Sequence, residues 1–224
     1  MSEAYEEVFR LFREHANAQQ AIKMSAYMCD VAPFLGLQAP LRRKLAQPFI
    51  TAARKEVARK EAVVDWGFVN RCWTMEREFQ YLALDYLQVA QSLLTPEDIP
   101  RLRDLAIDKS WWDTIDCLDS IVDSIGRRFS EVDAIMLAWS IDDNFWLRRI
   151  AIDHQLQRKE LTNTALLEQI IVNNFGQKEF FINKAIGWSL REYSKINPQW
   201  VKDFIAQHQE QLAPLSVREA SKYI

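Results

Sequence analysis

A repeat of 34 residues constrains the fold of this 224-residue chain more than any other feature of its sequence. A small residue followed by an aliphatic one recurs at that spacing, in Ala83-Leu84-Asp85-Tyr86, Cys117-Leu118-Asp119-Ser120, Ala151-Ile152-Asp153-His154 and Ala185-Ile186-Gly187-Trp188. We number these segments repeats one to four. A single helix cannot bury the apolar face that each repeat presents, so successive repeats must stack on one another.

Other segments with helical periodicity lie before and between the repeats. The chain has only 5 glycines and 7 prolines, which is too few for the many turns of an all-β protein. The predicted helices are Glu3–His15, Gln20–Asp30, Pro40–Lys60, Trp66–Trp73, Ile99–Ile107, Glu131–Ser140, Thr164–Val172 and Gln199–His208. The sequence therefore predicts an all-α protein, an α-solenoid of roughly six helix pairs with a concave binding side. An ordinary helical bundle is the alternative.

The charge balance bears on the kind of partner that the chain can bind. A formal net charge of −3 and a pI of about 5.7 exclude a uniformly positive surface but leave room for one basic face. Basic residues recur over successive repeats, at Arg42-Arg43-Lys44, Arg127-Arg128, Arg158-Lys159, Lys178, Lys184 and Lys195. Each one alone is most simply a solvated charge, but together they are able to follow a phosphate backbone along one concave face.

Cysteine usage and the N-terminal segment indicate the compartment. The three cysteines form no CxxC pair, so we expect reduced thiols in a cytoplasmic protein. The first helix is charged and amphipathic, and no stretch approaches 18 apolar residues, so we expect neither a signal peptide nor a membrane partner.

Repeat two carries two carboxylates at positions where the other repeats are largely apolar. Asp113 stands four residues before the small residue of the repeat, and Asp116 stands one before it. Because residues four apart share a helix face, Trp112 and Asp116 lie on the same side of their helix. Asp113 is most simply a charge in the first helical turn. Asp116 has two interpretations: an ion pair with a nearby arginine, or an acid held beside an indole to balance a cationic ligand.

Repeats three and four add arginines and a second indole. Arg148 and Arg149 point about 100° apart on a helix, so only one of them can face a given groove. Trp188 of repeat four has Arg191 three residues further on, which suits a stacking surface beside a phosphate. The alternatives are ion pairs with neighbouring acids for the arginines, and ordinary surface cover for the indole.

The sequence contains no cofactor motif. Its glycines never cluster into a phosphate-binding loop, and no HExxH or Cys/His metal-binding pattern occurs. The three histidines are scattered along the chain, which gives no support to His-dependent nucleophilic catalysis. We therefore expect neither a metal ion nor an organic cofactor.

Several longer stretches carry a resemblance to a known family. They are Ala26-Tyr27-Met28, Pro33-Phe34-Leu35-Gly36, Lys109-Ser110-Trp111-Trp112-Asp113-Thr114-Ile115-Asp116, Trp146-Leu147-Arg148-Arg149, Lys178-Glu179-Phe180-Phe181 and Ala185-Ile186-Gly187-Trp188 with Leu190-Arg191-Glu192-Tyr193. Together they resemble the bacterial AlkD-type glycosylases of the DNA alkylation repair family, which are built from HEAT-like repeats. The likeness runs over nearly the whole chain and implies a single HEAT-like repeat domain over residues 1–224.

The resemblance implies an activity and a set of site residues. The activity is hydrolysis of the N-glycosidic bond of N3- and N7-alkylated purines in duplex DNA, in base excision repair, without metal or nucleotide cofactor. The motifs place the catalytic roles on Asp116, Trp112, Trp188 and Arg149. The DNA-binding residues that we expect are Tyr27, Arg43, Arg148, Arg191, Lys178 and Lys184.

These roles agree with the chemistry of the bond to be broken. Alkylation at N3 or N7 gives the base a positive charge, and its departure builds oxocarbenium character on the sugar. A carboxylate at Asp116 would stabilise that charge and position a water molecule. The indoles of Trp112 and Trp188 would attract the cation, while Arg149, Arg43 and Arg191 would hold phosphates.

Three functions remain open from the sequence alone. The first is the glycosylase; the second is a non-catalytic HEAT-repeat protein that binds damaged or distorted DNA; the third is a helical scaffold for protein partners. For the first two the partner is double-stranded DNA. One groove on one chain suffices, so we expect a monomer in the bacterial cytoplasm, associated with the nucleoid when bound to DNA.

Overall fold

The computed structural model describes residues 2–59 and 61–224. Within these ranges the chain forms thirteen α-helices and no strand, which confirms the all-α fold class. The helices are α1 (Ser2–Glu14), α2 (Ala18–Tyr27), α3 (Ala39–Val57), α4 (Trp66–Trp73), α5 (Arg77–Ala90), α6 (Ile99–Ile107), α7 (Trp112–Gly126), α8 (Glu131–Trp139), α9 (Phe145–Asp153), α10 (Thr164–Val172), α11 (Phe180–Ser194), α12 (Pro198–Gln207) and α13 (Pro214–Ala220). None of the described helices has the length and apolar character that crossing a membrane requires.

The predicted helix bounds agree with most of the observed ones. Those of α4, α6 and α10 coincide with the prediction, and the others differ by one to three residues. The predicted end of α3 at Lys60 lies outside the described residues. The prediction for α2 ran on to Asp30, but Cys29 and Asp30 have φ angles of 54° and 55°, which end the helix at Tyr27.

The described residues group into two compact units. The first unit comprises Met1–Asp98 and Asp108–Thr114, and the second comprises Ile99–Ile107 and Ile115–Ile224. In the first unit α5 packs against α3 and α4, and α1 packs against α3. Aromatic rings fill this core, among them Phe9, Phe12, Phe49, Phe68 and Phe79. The prediction of one domain over residues 1–224 stays a prediction.

A buried carboxylate fixes the loop before α3 in the first unit. Glu78 of α5 is 0% exposed and accepts hydrogen bonds from the backbone N–H groups of Leu35, Gly36 and Leu37, at 2.8–2.9 Å. Gly36 has a φ of 90°, and a Cβ there would lie 2.1 Å from the carbonyl oxygen of Asn17. The loop therefore requires glycine at position 36, and it requires the Glu78 carboxylate to accept its backbone hydrogen bonds.

In the second unit, α9 packs against its neighbours α6, α8, α10 and α11, and α11 also packs against α12 and α13. Gly187 of α11 allows the approach of α13, because a Cβ there would lie 2.5 Å from Cβ of Glu219. This close packing explains why repeat four has glycine where the other repeats have aspartate. Helix α13 was not predicted from the sequence.

Candidate functional site

Asp116 and Arg149 form an ion pair in the second unit. Asp116 lies on α7 and Arg149 on α9, whose first turn is capped by the side chain of Asn144. The Nε and Nη2 atoms of Arg149 both donate to Oδ1 of Asp116, at 2.9 and 2.8 Å. Arg149 is 1% exposed, whereas 28% of the Asp116 side chain is exposed. The acid therefore reaches solvent while its guanidinium partner is buried, and the ion pair expected in one interpretation of the sequence is confirmed.

The ring of Trp188 is surrounded by cationic groups. Its centroid lies 5.1 Å from Cζ of Arg149, 5.4 Å from Nζ of Lys184 and 5.9 Å from Cζ of Arg191. Nζ of Lys184 also lies 5.3 Å from the ring of Phe180, which is 51% exposed. Phe180, Lys184 and Trp188 are spaced four residues apart on α11 and form a row along one helix face, which we call the α11 ridge.

Two further acids form a cluster with Asp116. Asp119 and Asp153 are buried, and ligand oxygens of the three carboxylates lie within 4.8 Å of one another. Burial raises the pKa of Asp119 well above its usual range, and the charges of Asp153 and Asp116 raise it further. Burial also raises the pKa of Asp153 to about 7, although the nearby guanidinium of Arg149 lowers it. Nη2 of Arg149 lies 3.6 Å from Oδ2 of Asp153.

The cluster is an acid–guanidinium assembly in which three carboxyl groups surround one guanidinium. Burial alone would lower the pKa of Arg149, but the charges of Asp153 and Asp116 outweigh it and raise that pKa. Carboxylates at this spacing are able to hold a divalent ion. In the structure the positive charge in contact with them is the guanidinium.

A cavity of about 170 Å³ opens beside the cluster. All three acids, Trp188 and His154 contribute to its lining. His154 is buried, and burial lowers its pKa to about 3, so the ring is neutral near pH 7. Its Nδ1 lies 2.7 Å from the carbonyl oxygen of Ala151 and donates to it, while Nε2 has no hydrogen-bond partner among the described residues.

Three of the predicted site residues lie in the first unit. Trp112 is the first residue of α7 and is partly exposed. Tyr27 ends α2, is 74% exposed and lines a shallow pocket with apolar walls. Arg43 is exposed on α3 and lines a groove together with Arg54. The position of Trp112 beside Asp116 in a shared site stays a prediction from helical spacing.

One of the predicted roles for arginine needs correction. From the sequence, Arg149 was expected to hold a phosphate, but its guanidinium is buried and donates to Asp116 and to the carbonyl oxygen of Phe181, the latter at 2.8 Å. The DNA contact expected of Arg148 stays a prediction. Arg148 is partly exposed, and its Nη1 donates to the carbonyl oxygens of Asp142 and Asp143, at 2.7 and 3.3 Å, in the turn before α9.

The remaining predicted DNA-binding residues differ in how much of their charge is available. Nη1 of Arg191 lies 3.3 Å from Oε2 of Glu219, and its Nε lies 3.4 Å from Oε1 of Glu192, so acids compensate part of its charge. Lys184 is partly exposed on the α11 ridge. Lys178 is exposed in the loop that precedes α11.

Asp113 has a structural role in the first unit. Arg77, which is 0% exposed, donates to it from Nε at 3.0 Å and from Nη2 at 2.5 Å, and the hydroxyl of Tyr81 donates to it at 2.5 Å. The non-functional interpretation of Asp113 was favoured from the sequence. That interpretation explained Asp113 as a charge in the first helical turn. In the structure Asp113 instead forms a buried ion pair with Arg77, which was not predicted.

Three residues of this site were not predicted from the sequence. Asp119 and Asp153 occupy the third position of repeats two and three, where repeat one has Asp85. This recurrence was the signal that could have found them. Phe180 stands five residues before the small residue of repeat four, a position that is also aromatic in repeats two and three.

Comparisons with known proteins place this site in a family context. Residues 9–224 match the family model described as DNA alkylation repair enzyme. A solved structure described as a predicted DNA alkylation repair enzyme from Enterococcus faecalis is similar to the chain, with 35% sequence identity and a TM-score of 0.82. That match covers 93% of this chain and 96% of the other, and it supports the α-solenoid class predicted from the repeats. No curated protein matches the chain significantly.

Proposed function

The chain belongs to the DNA alkylation repair enzyme family, whose role lies in the repair of alkylation damage, and from this premise we propose that it is a DNA glycosylase. The reaction is hydrolysis of the N-glycosidic bond of N3- or N7-alkylated purines in duplex DNA. The observation that carries the proposal is the partly exposed carboxylate of Asp116, held by buried Arg149 beside the ring of Trp188.

Asp116 supplies the negative charge that this reaction needs. As the C1′–N bond breaks, its electron pair neutralises the cationic base, and positive charge develops on the sugar. Water then adds to C1′, and one proton is released. A carboxylate fixed in place by two hydrogen bonds stabilises the developing charge without reorganising during the reaction. Arg149 is a positioning residue in this scheme, because its burial keeps it from touching the DNA.

The α11 ridge supplies the surface against which the DNA backbone lies. The indole of Trp188 offers a face to the deoxyribose, and the rings of the ridge attract cationic character in the substrate. Lys184 sits between the two aromatic rings and is positioned to pair with a phosphate. We propose that Lys178, Arg191, Arg148, Tyr27 and Arg43 also contact DNA. Trp112 is proposed as the second indole at the sugar.

Excision of a single lesion tests the proposal. A duplex containing one N7-methylguanine is incubated with excess protein, and abasic sites are then cleaved with alkali. We expect strand cleavage at the lesion with the wild-type protein, and much slower cleavage with Asp116→Asn. Binding of the same duplex without cleavage by either protein would overturn the glycosylase proposal and favour the non-catalytic DNA-binding alternative.

A matched control separates the role of Asp116 from a general effect of charge removal. Asp143 is exposed, and its backbone carbonyl, which an asparagine retains, accepts from Arg148. Asp143→Asn therefore removes one negative charge without touching the carboxyl cluster, and we expect it to excise at the wild-type rate.

A further inference from the structure

The carboxyl cluster holds more acid than the Asp116–Arg149 pair requires. Three carboxyl groups lie around one guanidinium, and two of them are buried. Three ionised carboxylates around a single cation would leave two negative charges in a region of low dielectric, which is strongly unfavourable. The cluster must therefore hold protons, and their number sets the charge next to Asp116.

The surroundings of each acid decide where the protons reside. Asp116 accepts two hydrogen bonds from Arg149 and is partly exposed, which favours its ionised form. Asp119 is buried among the other acids, and this burial raises its pKa well above its usual range, which favours the protonated form. Asp153 lies between these limits, because burial favours its neutral form while Arg149 and a hydrogen bond from Ser189 Oγ, at 3.2 Å, favour the charge.

We propose that Asp153 is a positioning residue of the excision reaction, sharing Arg149 with Asp116 so that its ionisation releases negative charge at Asp116 for the sugar. The inference rests on the proposed glycosylase function. When Asp153 is neutral, Arg149 compensates the charge of Asp116 alone. When Asp153 is ionised, the same guanidinium is divided between two carboxylates, and the field at the exposed edge of Asp116 becomes more negative.

The titratable, charged and polar groups that face Asp153 come from three helices. Asp119 and Asp116 face it from α7, Arg149 lies one turn before it on α9, and Ser189 reaches it from α11. His154, its neighbour in the chain, stays neutral because burial lowers its pKa to about 3. If Asp116 and Arg149 acted as a simple ion pair, the excision rate would not depend on pH above about 5. With Asp153 sharing Arg149, the excision rate should instead change in one step as Asp153 loses its proton.

The direction of the step follows from the charge. Loss of the proton from Asp153 adds one negative charge near the developing oxocarbenium, so the excision rate rises with pH. Burial raises the pKa of Asp153 to about 7, so we expect the midpoint in the neutral range. DNA phosphates favour the protonated acid, so the midpoint in the complex lies at or above that value.

The test compares single-turnover excision of N7-methylguanine by the wild type and by Asp153→Asn across this range at constant ionic strength. We expect the wild-type rate to rise roughly tenfold through the midpoint. Asp153→Asn, which mimics the neutral acid, should stay at the low-pH wild-type rate throughout. Asp85→Asn is the matched control, because Asp85 holds the same position in repeat one and pairs with Arg42 at 2.6 Å outside the cluster. It should retain the wild-type step.

A second variant and a second measurement make the outcome decisive. Ser189→Ala removes the hydrogen bond that lowers the pKa of Asp153, so the step should move to higher pH. Carbon-13 NMR of aspartate carboxyls in the DNA-free protein should show one group titrating near neutrality that is absent from Asp153→Asn. If Asp153→Asn keeps the step, or if no such carboxyl titrates, the role of Asp153 is wrong while excision stands. Absence of excision by the wild type at every pH would instead overturn the proposed function.

Discussion

Replacement of Asp116 by asparagine isolates the charge on which the proposed chemistry depends. Asparagine keeps the shape of the side chain and an oxygen that accepts from Arg149, so the variant retains the geometry and loses the negative charge. A carboxylate about 4 Å from the sugar interacts with a unit positive charge by about 4 kcal/mol at an effective dielectric near 20. Arg149 compensates only part of the charge, because both of the hydrogen bonds that it donates to Asp116 end on Oδ1.

The expected loss in transition-state stabilisation is therefore about 2 to 4 kcal/mol, which corresponds to a rate roughly 30- to 1,000-fold lower. Single-turnover excision of N7-methylguanine with excess protein measures this step without interference from product release. Duplex affinity should be unchanged or slightly higher, because the variant carries one negative charge fewer facing the phosphates.

An Asp116→Asn protein that is folded, binds the duplex and excises within about threefold of the wild-type rate would contradict this expectation. In that case the carboxylate would contribute little electrostatic stabilisation. The Asp116–Arg149 pair would then be a structural feature of the second unit.

Three further predictions follow from the contacts of other residues. Asp113→Asn should lower the free energy of unfolding by about 3 kcal/mol, because it leaves the buried Arg77 without its counter-charge. Urea denaturation measures this free energy, and a decrease of less than about 1 kcal/mol relative to wild type would contradict the prediction. Trp188→Leu should reduce kcat/KM for excision roughly tenfold, because it removes a ring that contacts three cationic groups. The control is Trp200→Leu, which changes an indole stacked on Phe204 in the same unit and should leave excision per folded molecule unchanged. His154 is charged only in the unfolded chain between its unfolded pKa of 6.5 and its folded pKa of about 3, so its contribution to stability is complete above pH 6.5 and is lost as the pH falls. As the pH falls from 7 to 5, the unfolding free energy of His154→Asn minus that of the wild type should therefore increase by about 2 kcal/mol. A difference that does not change with pH would show that His154 is not buried as a neutral ring.

The sequence predicted the helices well where an apolar stripe decides the structure. Helices α6 and α10 were placed exactly because both have a clear start signal and a regular apolar period. The end of α2 was misplaced, since the left-handed turn begins at Cys29, and cysteine does not indicate a positive φ. Helix α13 spans only two turns and depends on the space above Gly187, a tertiary contact that no local pattern encodes.

The candidate site was predicted in part for similar reasons. Asp116 interrupts an apolar position of the repeat and was therefore visible as an anomaly. Asp119 and Asp153 occupy the same repeat position as Asp85, so the repeat pattern offered no reason to single them out. Their burial next to Arg149 became visible only in the structure. The burial of Arg149 depends on how α7, α9 and α11 pack, and charge patterns along a single helix do not reveal it.

The proposed mechanism requires Asp116 to stabilise positive charge on the deoxyribose. The most direct measurement is the difference in affinity between a duplex carrying a cationic pyrrolidine in place of the lesion nucleotide and one carrying neutral tetrahydrofuran. The wild-type protein should bind the cationic duplex at least roughly tenfold more tightly, and Asp116→Asn should lose that preference. Equal preference in the two proteins would contradict the account, because the charge of Asp116 would then not be felt at the sugar.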